Sequence, residues 1–141
     1  MIKAPKIYFY DTGLASALLN IQTAEQASTH YLRGGLFENL IISEALKHFY
    51  NQGKEAPCYF WQDQAGKEID LIVEMPTVVK AFEIKSGMTL NKSFFNNLIY
   101  WKGLVSPSTP VETHVIYAGE QLFKTSDGDY LRLKDFKNYL V

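Results

Sequence analysis

Glu68-Ile69-Asp70-Leu71-Ile72-Val73-Glu74, then Met75-Pro76-Thr77, then Val78-Val79-Lys80-Ala81-Phe82-Glu83-Ile84-Lys85, is the stretch that decides the fold. Each half alternates with the period of a β-strand, in which successive side chains point to opposite faces. The short Pro-containing break predicts an antiparallel connection. Strict alternation puts Ile69, Leu71 and Val73 on one face and Glu68, Asp70, Ile72 and Glu74 on the other. On the second strand Val79, Ala81, Glu83 and Lys85 share a face. A four-residue loop at 75–78 pairs Glu74 with Val79, which sets Asp70 opposite Glu83 and Glu68 opposite Lys85. Directly opposed side chains have Cβ atoms about 4.5–5.5 Å apart, where like charges repel. Two opposed carboxylates need compensation, and a divalent cation bridging them is the simplest compensator.

Upstream, Cys58 to Gln62 reads as a further strand, and residues 36–51 as a long helix that Gly34-Gly35 precedes and Gly53 ends. At 100° per residue, Ile41, Ile42, Ala45 and Phe49 fall on one stripe of that helix, with Glu38 in the middle of it. Asn39, Ser43, Glu44 and Lys47 take the other side. A carboxylate on an apolar stripe is costly unless paired or coordinated. Ile7-Tyr8-Phe9-Tyr10 is strand-like and runs into Asp11-Thr12-Gly13, which can cap a short helix over 14–19. Downstream, a helix from Asn91 or Ser93 to Leu104, a strand at 114–117, a strand at 130–133 after Asp127-Gly128-Asp129, and a helix at 134–140 complete the reading. The class is α/β, in the order α-β-β-β-α-β, one domain over residues 1–141 with residues 1–30 as a lead-in strand and helix. The abrupt opening on a packed element predicts a domain taken from a longer polypeptide.

With 14 basic and 15 acidic residues among 141, the formal charge is −1, which excludes a basic sheath-type nucleic-acid binder and an acidic disordered tail. Cys58 is the only cysteine, so no internal disulfide forms and no CxxC pair is present; a reducing, cytoplasmic location is expected. His30, His48 and His114 are scattered without zinc-ligand spacing. Lys3 and Lys6 are basic, but Asp11 and Thr12 interrupt any leader-like apolar run, so neither a signal peptide nor a membrane span is expected.

Lys85 follows Glu83 by two residues on the same face, roughly 6–7 Å along the strand. There an ammonium reaches a water or phosphate held by a metal and steadies developing negative charge. Glu38, from a helix packed over this sheet, adds a further carboxylate. Oxygen-only ligands favour Mg²⁺ or Mn²⁺ over zinc.

Glu38, then Asp70 within Glu68-Ile69-Asp70-Leu71-Ile72, then Glu83-Ile84-Lys85 thirteen to fifteen residues later, resemble the PD-(D/E)xK nuclease superfamily. The resemblance implies a restriction-endonuclease-like core of the same α-β-β-β-α-β order, with metal binding and water activation at the matching positions. One departure is Ile69 in place of the proline before Asp70. Lys6-Ile7-Tyr8-Phe9-Tyr10-Asp11-Thr12-Gly13-Leu14, Gly34-Gly35-Leu36-Phe37-Glu38-Asn39 and Phe82-Glu83-Ile84-Lys85-Ser86-Gly87 together resemble the uncharacterised C-terminal domain of prokaryotic AAA-type ATPases, over nearly the whole chain. That implies an upstream ATPase module. The chain has no GxxxxGK[ST], so ATP would belong to that module.

The expected function is metal-dependent hydrolysis of DNA phosphodiester bonds, with Asp70, Glu83 and Glu38 as metal ligands and Lys85 serving the water. The rival is a non-catalytic DNA-binding or protein-docking module that keeps the fold; a small-molecule phosphoesterase is a third reading. Trp61, Tyr59, Phe60, Phe94, Phe95, Tyr100 and Trp101 are expected in the core rather than stacking on bases. Lys80, Lys92 and Lys102 are read as solubilising, with phosphate contact as the alternative.

Overall fold

The computed structural model describes residues 5–141; Lys3 lies outside the described residues. Asp11 caps the first helix, α1 (Thr12–Leu18), its carboxylate accepting from Gly13 N at 2.8 Å and Leu14 N at 3.3 Å. These are donors that a helix start leaves without partners. A second short helix, α2 (Ala24–Thr29), is not anticipated from the sequence, although Thr23 and Gln26 form a capping box at its start. The long helix α3 spans Arg33–Tyr50. Gly34 and Gly35 therefore lie inside it rather than before it.

Ile7-Tyr8-Phe9-Tyr10 is not a strand. Its backbone is held by a side chain instead: Phe9 N donates to Asn39 Oδ1 at 2.6 Å, and Asn39 Nδ2 donates to Phe9 O and Thr12 Oγ1, both at 3.0 Å. This is why Asn39, placed on the polar side by periodicity, is buried. Ser43 is buried too, its hydroxyl returned to Leu40 O at 2.9 Å. One side of α3 packs on the sheet, and the N-terminal segment with α1 covers another.

The six-stranded mixed sheet runs β1 (Cys58–Gln62), β2 (Glu68–Glu74), β3 (Val79–Lys85), β4 (Val111–Tyr117), β6 (Gly128–Arg132) and β5 (Phe123–Thr125) in spatial order. The first three strands form the expected antiparallel meander, and β3 pairs parallel with β4. Parallel neighbours need a crossover. It is supplied by a 3₁₀ turn (Lys92–Phe95) that leads into α4 (Asn96–Lys102). The last segment, expected as a helix, is a 3₁₀ stretch over Leu133–Tyr139.

Helices flank both faces, each over its own core. Ile41, Ala45 and Phe49 of α3 meet Leu71, Val73, Phe82 and Ile84; on the other face Leu98 and Trp101 of α4 meet Ile69, Ile72, Ala81 and Val115. Among the aromatic residues, Phe95 and Trp101 are core as expected, whereas Tyr59, Phe60 and Tyr100 are exposed. Tyr59 and Phe60 lie on β1, an outer strand of the sheet. Lys80 is not the solvent-facing, solubilising lysine expected: it is buried, its ammonium 3.2 Å from Val141 O and 3.5 Å from Glu112. Among the described residues no helix is long and apolar enough to cross a membrane.

The alternation expected for β2 fails at one point. Ile69 packs with Ile72 on the α4 side, not with Leu71 and Val73. Tyr59 pairs with Ile72 and Trp61 with Ile69, so Phe60 alone on β1 faces Asp70 and Leu71 on β2. An extra residue in one strand is a β-bulge, which shifts the parity and re-aims a side chain. Here the residue re-aimed is Asp70.

Candidate active site

The hairpin register begins as expected, with Glu74 opposite Val79, and runs to Leu71 opposite Phe82. It stops there. Asp70 and Glu83 are not a ladder pair; beyond the last pair Ile84 N donates to Asp70 Oδ2 at 2.8 Å. Glu68 pairs with Gln62 of β1 rather than with Lys85. The bulge thus opens the sheet between β2 and β3 and turns a carboxylate into the gap.

Asp70 and Glu83 are both buried, at 6% and 4% exposure. Burial penalises the charged form of a carboxylate. For Asp70, burial first and the Glu83 carboxylate second push the carboxyl up to about 7, against the pull of the Ile84 N–H. Burial also raises Glu83, while Lys85 opposes it. Lys85 Nζ reaches Glu83 Oε1 at 2.7 Å and lies 5.8 Å from the centre of the Phe94 ring. Glu83 Oε2 is buried without a hydrogen-bond partner. A buried, unpaired carboxylate oxygen is expensive, and such groups mark sites that something else completes.

Glu38 arrives from α3 as expected, and with it two residues that sequence reasoning did not assign. Lys6 Nζ stands 3.2 Å from Glu38 Oε1, 3.5 Å from Glu68 Oε2 and 4.0 Å from Asp70 Oδ1. Tyr8 OH donates to the same Glu38 oxygen at 2.6 Å. Burial works against the Lys6 charge, but Glu38, Glu68 and Asp70 outweigh it and its pKa is raised. Burial and then the Glu38 carboxylate raise the Tyr8 phenol. A signal for this pair was present: Lys6 and Tyr8 are two apart in an extended segment, which sets both on one side.

All four acids, Glu38, Glu68, Asp70 and Glu83, therefore meet at the β2–β3 gap, with Lys85 on one side and Lys6 on the other. The donor chemistry fits a hard divalent cation, which takes oxygen ligands only. The spacing does not present a ready cage: among the described residues no group of three or more His, Cys, Asp or Glu is placed to hold a metal. Lys6 occupies the middle of the cluster. Mg²⁺ is commonly held by one or two carboxylates plus water and substrate phosphate. Asp70 and Glu83, with the free Glu83 Oε2, meet that lesser requirement.

A family model described as a domain of unknown function (DUF4143) matches residues 33–136. Among curated proteins, the uncharacterized protein Mb2031c of Mycobacterium bovis and the uncharacterized protein Rv2008c of Mycobacterium tuberculosis are each 28% identical over 127 residues, covering 89% of this chain and 26% of theirs. The chain thus spans about a quarter of the length of the curated relatives it matches. No solved structure matches it.

Proposed function

The chain belongs to the DUF4143 family, whose description assigns no activity, and from its site we propose a PD-(D/E)xK-type nuclease domain that hydrolyses DNA phosphodiester bonds with Mg²⁺ or Mn²⁺. The observation that carries the reading is the conjunction at one bulged edge: Asp70 re-aimed by the bulge, Glu83 with a buried unpartnered oxygen, and Lys85 fixed at 2.7 Å from Glu83. Surface ion pairs alone are worth about 0–1 kcal/mol and require no such arrangement. The order α3-β1-β2-β3-α4-β4 supports a restriction-endonuclease-like core.

Asp70 and Glu83 would hold the cation, with Glu38 beside them. When bound there it supplies polarisation of a phosphoryl oxygen and a more acidic water. The chain's own part is positional. Glu83 fixes the Lys85 ammonium through Oε1, and from that place Lys85 orients an attacking water and stabilises negative charge growing on the phosphate. Water adds to phosphorus, one P–O ester bond breaks, and the leaving oxygen takes a proton. An ATPase module belongs, in this proposal, to the remainder of a longer polypeptide, and DNA is the partner.

One observation favours a second reading. Lys6 already neutralises part of the cluster, as it would in a docking or DNA-binding module that had given up catalysis. Incubation of purified protein with labelled DNA and Mn²⁺ separates the two. Strand cleavage lost in both Lys85→Ala and Asp70→Ala supports the nuclease; cleavage that survives both substitutions, or none at all in wild type, rejects it for the docking module.

A further inference from the structure

The geometry points to Lys6 as a built-in competitor of the cation: residues 5–10 form a strap whose ammonium sits on Glu38 and Glu68 at 3.2 and 3.5 Å and on Asp70 at 4.0 Å, beside the Asp70–Glu83 position, and gives way when a divalent cation binds there. The inference rests on the metal-site reading above and concerns how that site is regulated.

Four carboxylates meet two ammonium groups here, which leaves an excess of two negative charges. Lys85 answers Glu83 through Oε1 alone, and Lys6 answers Glu38, Glu68 and Asp70 at 3.2, 3.5 and 4.0 Å. Neither reaches Glu83 Oε2 within hydrogen-bonding distance, and that oxygen stays buried and unpaired. A divalent cation seated between Asp70 and Glu83 satisfies it. The same cation draws on the carboxylates that hold Lys6, so the two positive charges cannot share the cluster at full strength.

The strap is built to leave. It makes no ladder with any strand, and Ile7 is 85% exposed. What holds it are side chains: tethers at two adjacent residues of α3, the Lys6 ion pairs to Glu68 and Asp70 on β2, and Tyr8 packed against the core under α3. Glu38 Oε1 accepts from both Lys6 and Tyr8, and Asn39 binds Phe9 N and O. Because Lys6 and Tyr8 converge on a single carboxylate oxygen, drawing Glu38 toward a cation loosens both at once. A backbone held by one asparagine then opens without disturbing the sheet.

Mn²⁺ affinity, read by the loss of the free-ion electron paramagnetic resonance signal, tests this in wild type, Lys6→Met, Tyr8→Phe and Glu83→Gln, with melting curves to confirm folding. Lys6→Met should bind Mn²⁺ tighter by about 5- to 150-fold, the ordinary range of coupling between two sites. Tyr8→Phe should move the same way by less, and Glu83→Gln should weaken binding. Equal or weaker affinity in Lys6→Met, with Glu83→Gln still impaired, overturns the strap while leaving the metal site standing. Equal affinity in wild type and Glu83→Gln removes the metal site, and the strap with it. Should Lys6→Met fail to fold, hydrogen exchange at Phe9 N–H in wild type decides: Mn²⁺ should speed it, and unchanged protection refutes the inference.

Discussion

Replacing Asp70 with asparagine is expected to stabilise the metal-free protein at neutral pH. Burial and the neighbouring Glu83 carboxylate raise the Asp70 carboxyl from its usual 3.8 to about 7. Each tenfold in proton affinity is worth about 1.4 kcal/mol, so holding this group ionised costs the fold on the order of 4 kcal/mol. Asparagine is nearly isosteric, keeps an oxygen for the Ile84 N–H and carries no charge, but it forfeits the 4.0 Å approach of Lys6. A net gain on the order of 1–3 kcal/mol remains. The sign follows from linkage. The folded state binds this proton more tightly than the unfolded chain, so stability falls as pH rises from about 4 to about 7 and is flat above. Urea unfolding in EDTA, followed by circular dichroism at about pH 7.5 and about pH 4.5, should show the variant more stable at the higher pH and nearly equal to wild type at the lower. A variant destabilised at the higher pH, or offset equally at both, would show that the buried Asp70 charge does not burden the fold.

The fold and two further ionisable groups give additional tests. Leu98→Ala removes a fully buried side chain from the sheet-facing side of α4 and should cost about 2–5 kcal/mol in urea unfolding, with the site on the other elements unaltered. His114 is buried, its Nε2 3.6 Å from Glu112 and neither ring nitrogen within ordinary hydrogen-bonding distance of a partner, and burial depresses its pKa despite Asp129 and Glu112. Because the unfolded chain takes up that proton first, its contribution is lost as pH falls through the ordinary imidazole value; His114→Phe should flatten the pH-dependence of unfolding there and raise the melting temperature. Burial pushes the Cys58 thiol up to about 11, so iodoacetamide should alkylate it at about pH 8 many-fold slower than a free thiol, and equally fast only in denaturant.

Where sequence and structure part company, the cause is local. Period-2 patterning located β1, β2 and β3 almost to the residue, because each runs between turn signals and buries apolar side chains. It assumed unbroken alternation. The bulge at Asp70 depends on how many residues of β1 face how many of β2, which no single strand's pattern contains. Asp70 and Glu83 drew attention because acids on an apolar strand stand out, and Lys85 because it follows Glu83 by two residues; the structure brings the three to one gap. Lys6 and Tyr8 were not assigned, since their role comes from Asn39 holding an extended segment thirty residues away along the chain. The aromatic run Ile7-Tyr8-Phe9-Tyr10 looked like a strand because it is extended and apolar; its polar backbone atoms found a side chain in place of a ladder. β5 was missed because Phe123-Lys124-Thr125 is only three residues long and depends on the turn into β6.

Soaking crystals of the protein in Mn²⁺ and collecting anomalous diffraction would locate the cation, if Asp70 and Glu83 hold one. A metal site at Asp70 and Glu83 should give a single strong peak at the β2–β3 gap, about 2.0–2.6 Å from oxygens of both residues, with Glu83 Oε2 among the ligands. A peak only elsewhere, or no peak with Glu83 Oε2 still unpartnered at saturating Mn²⁺, would contradict it.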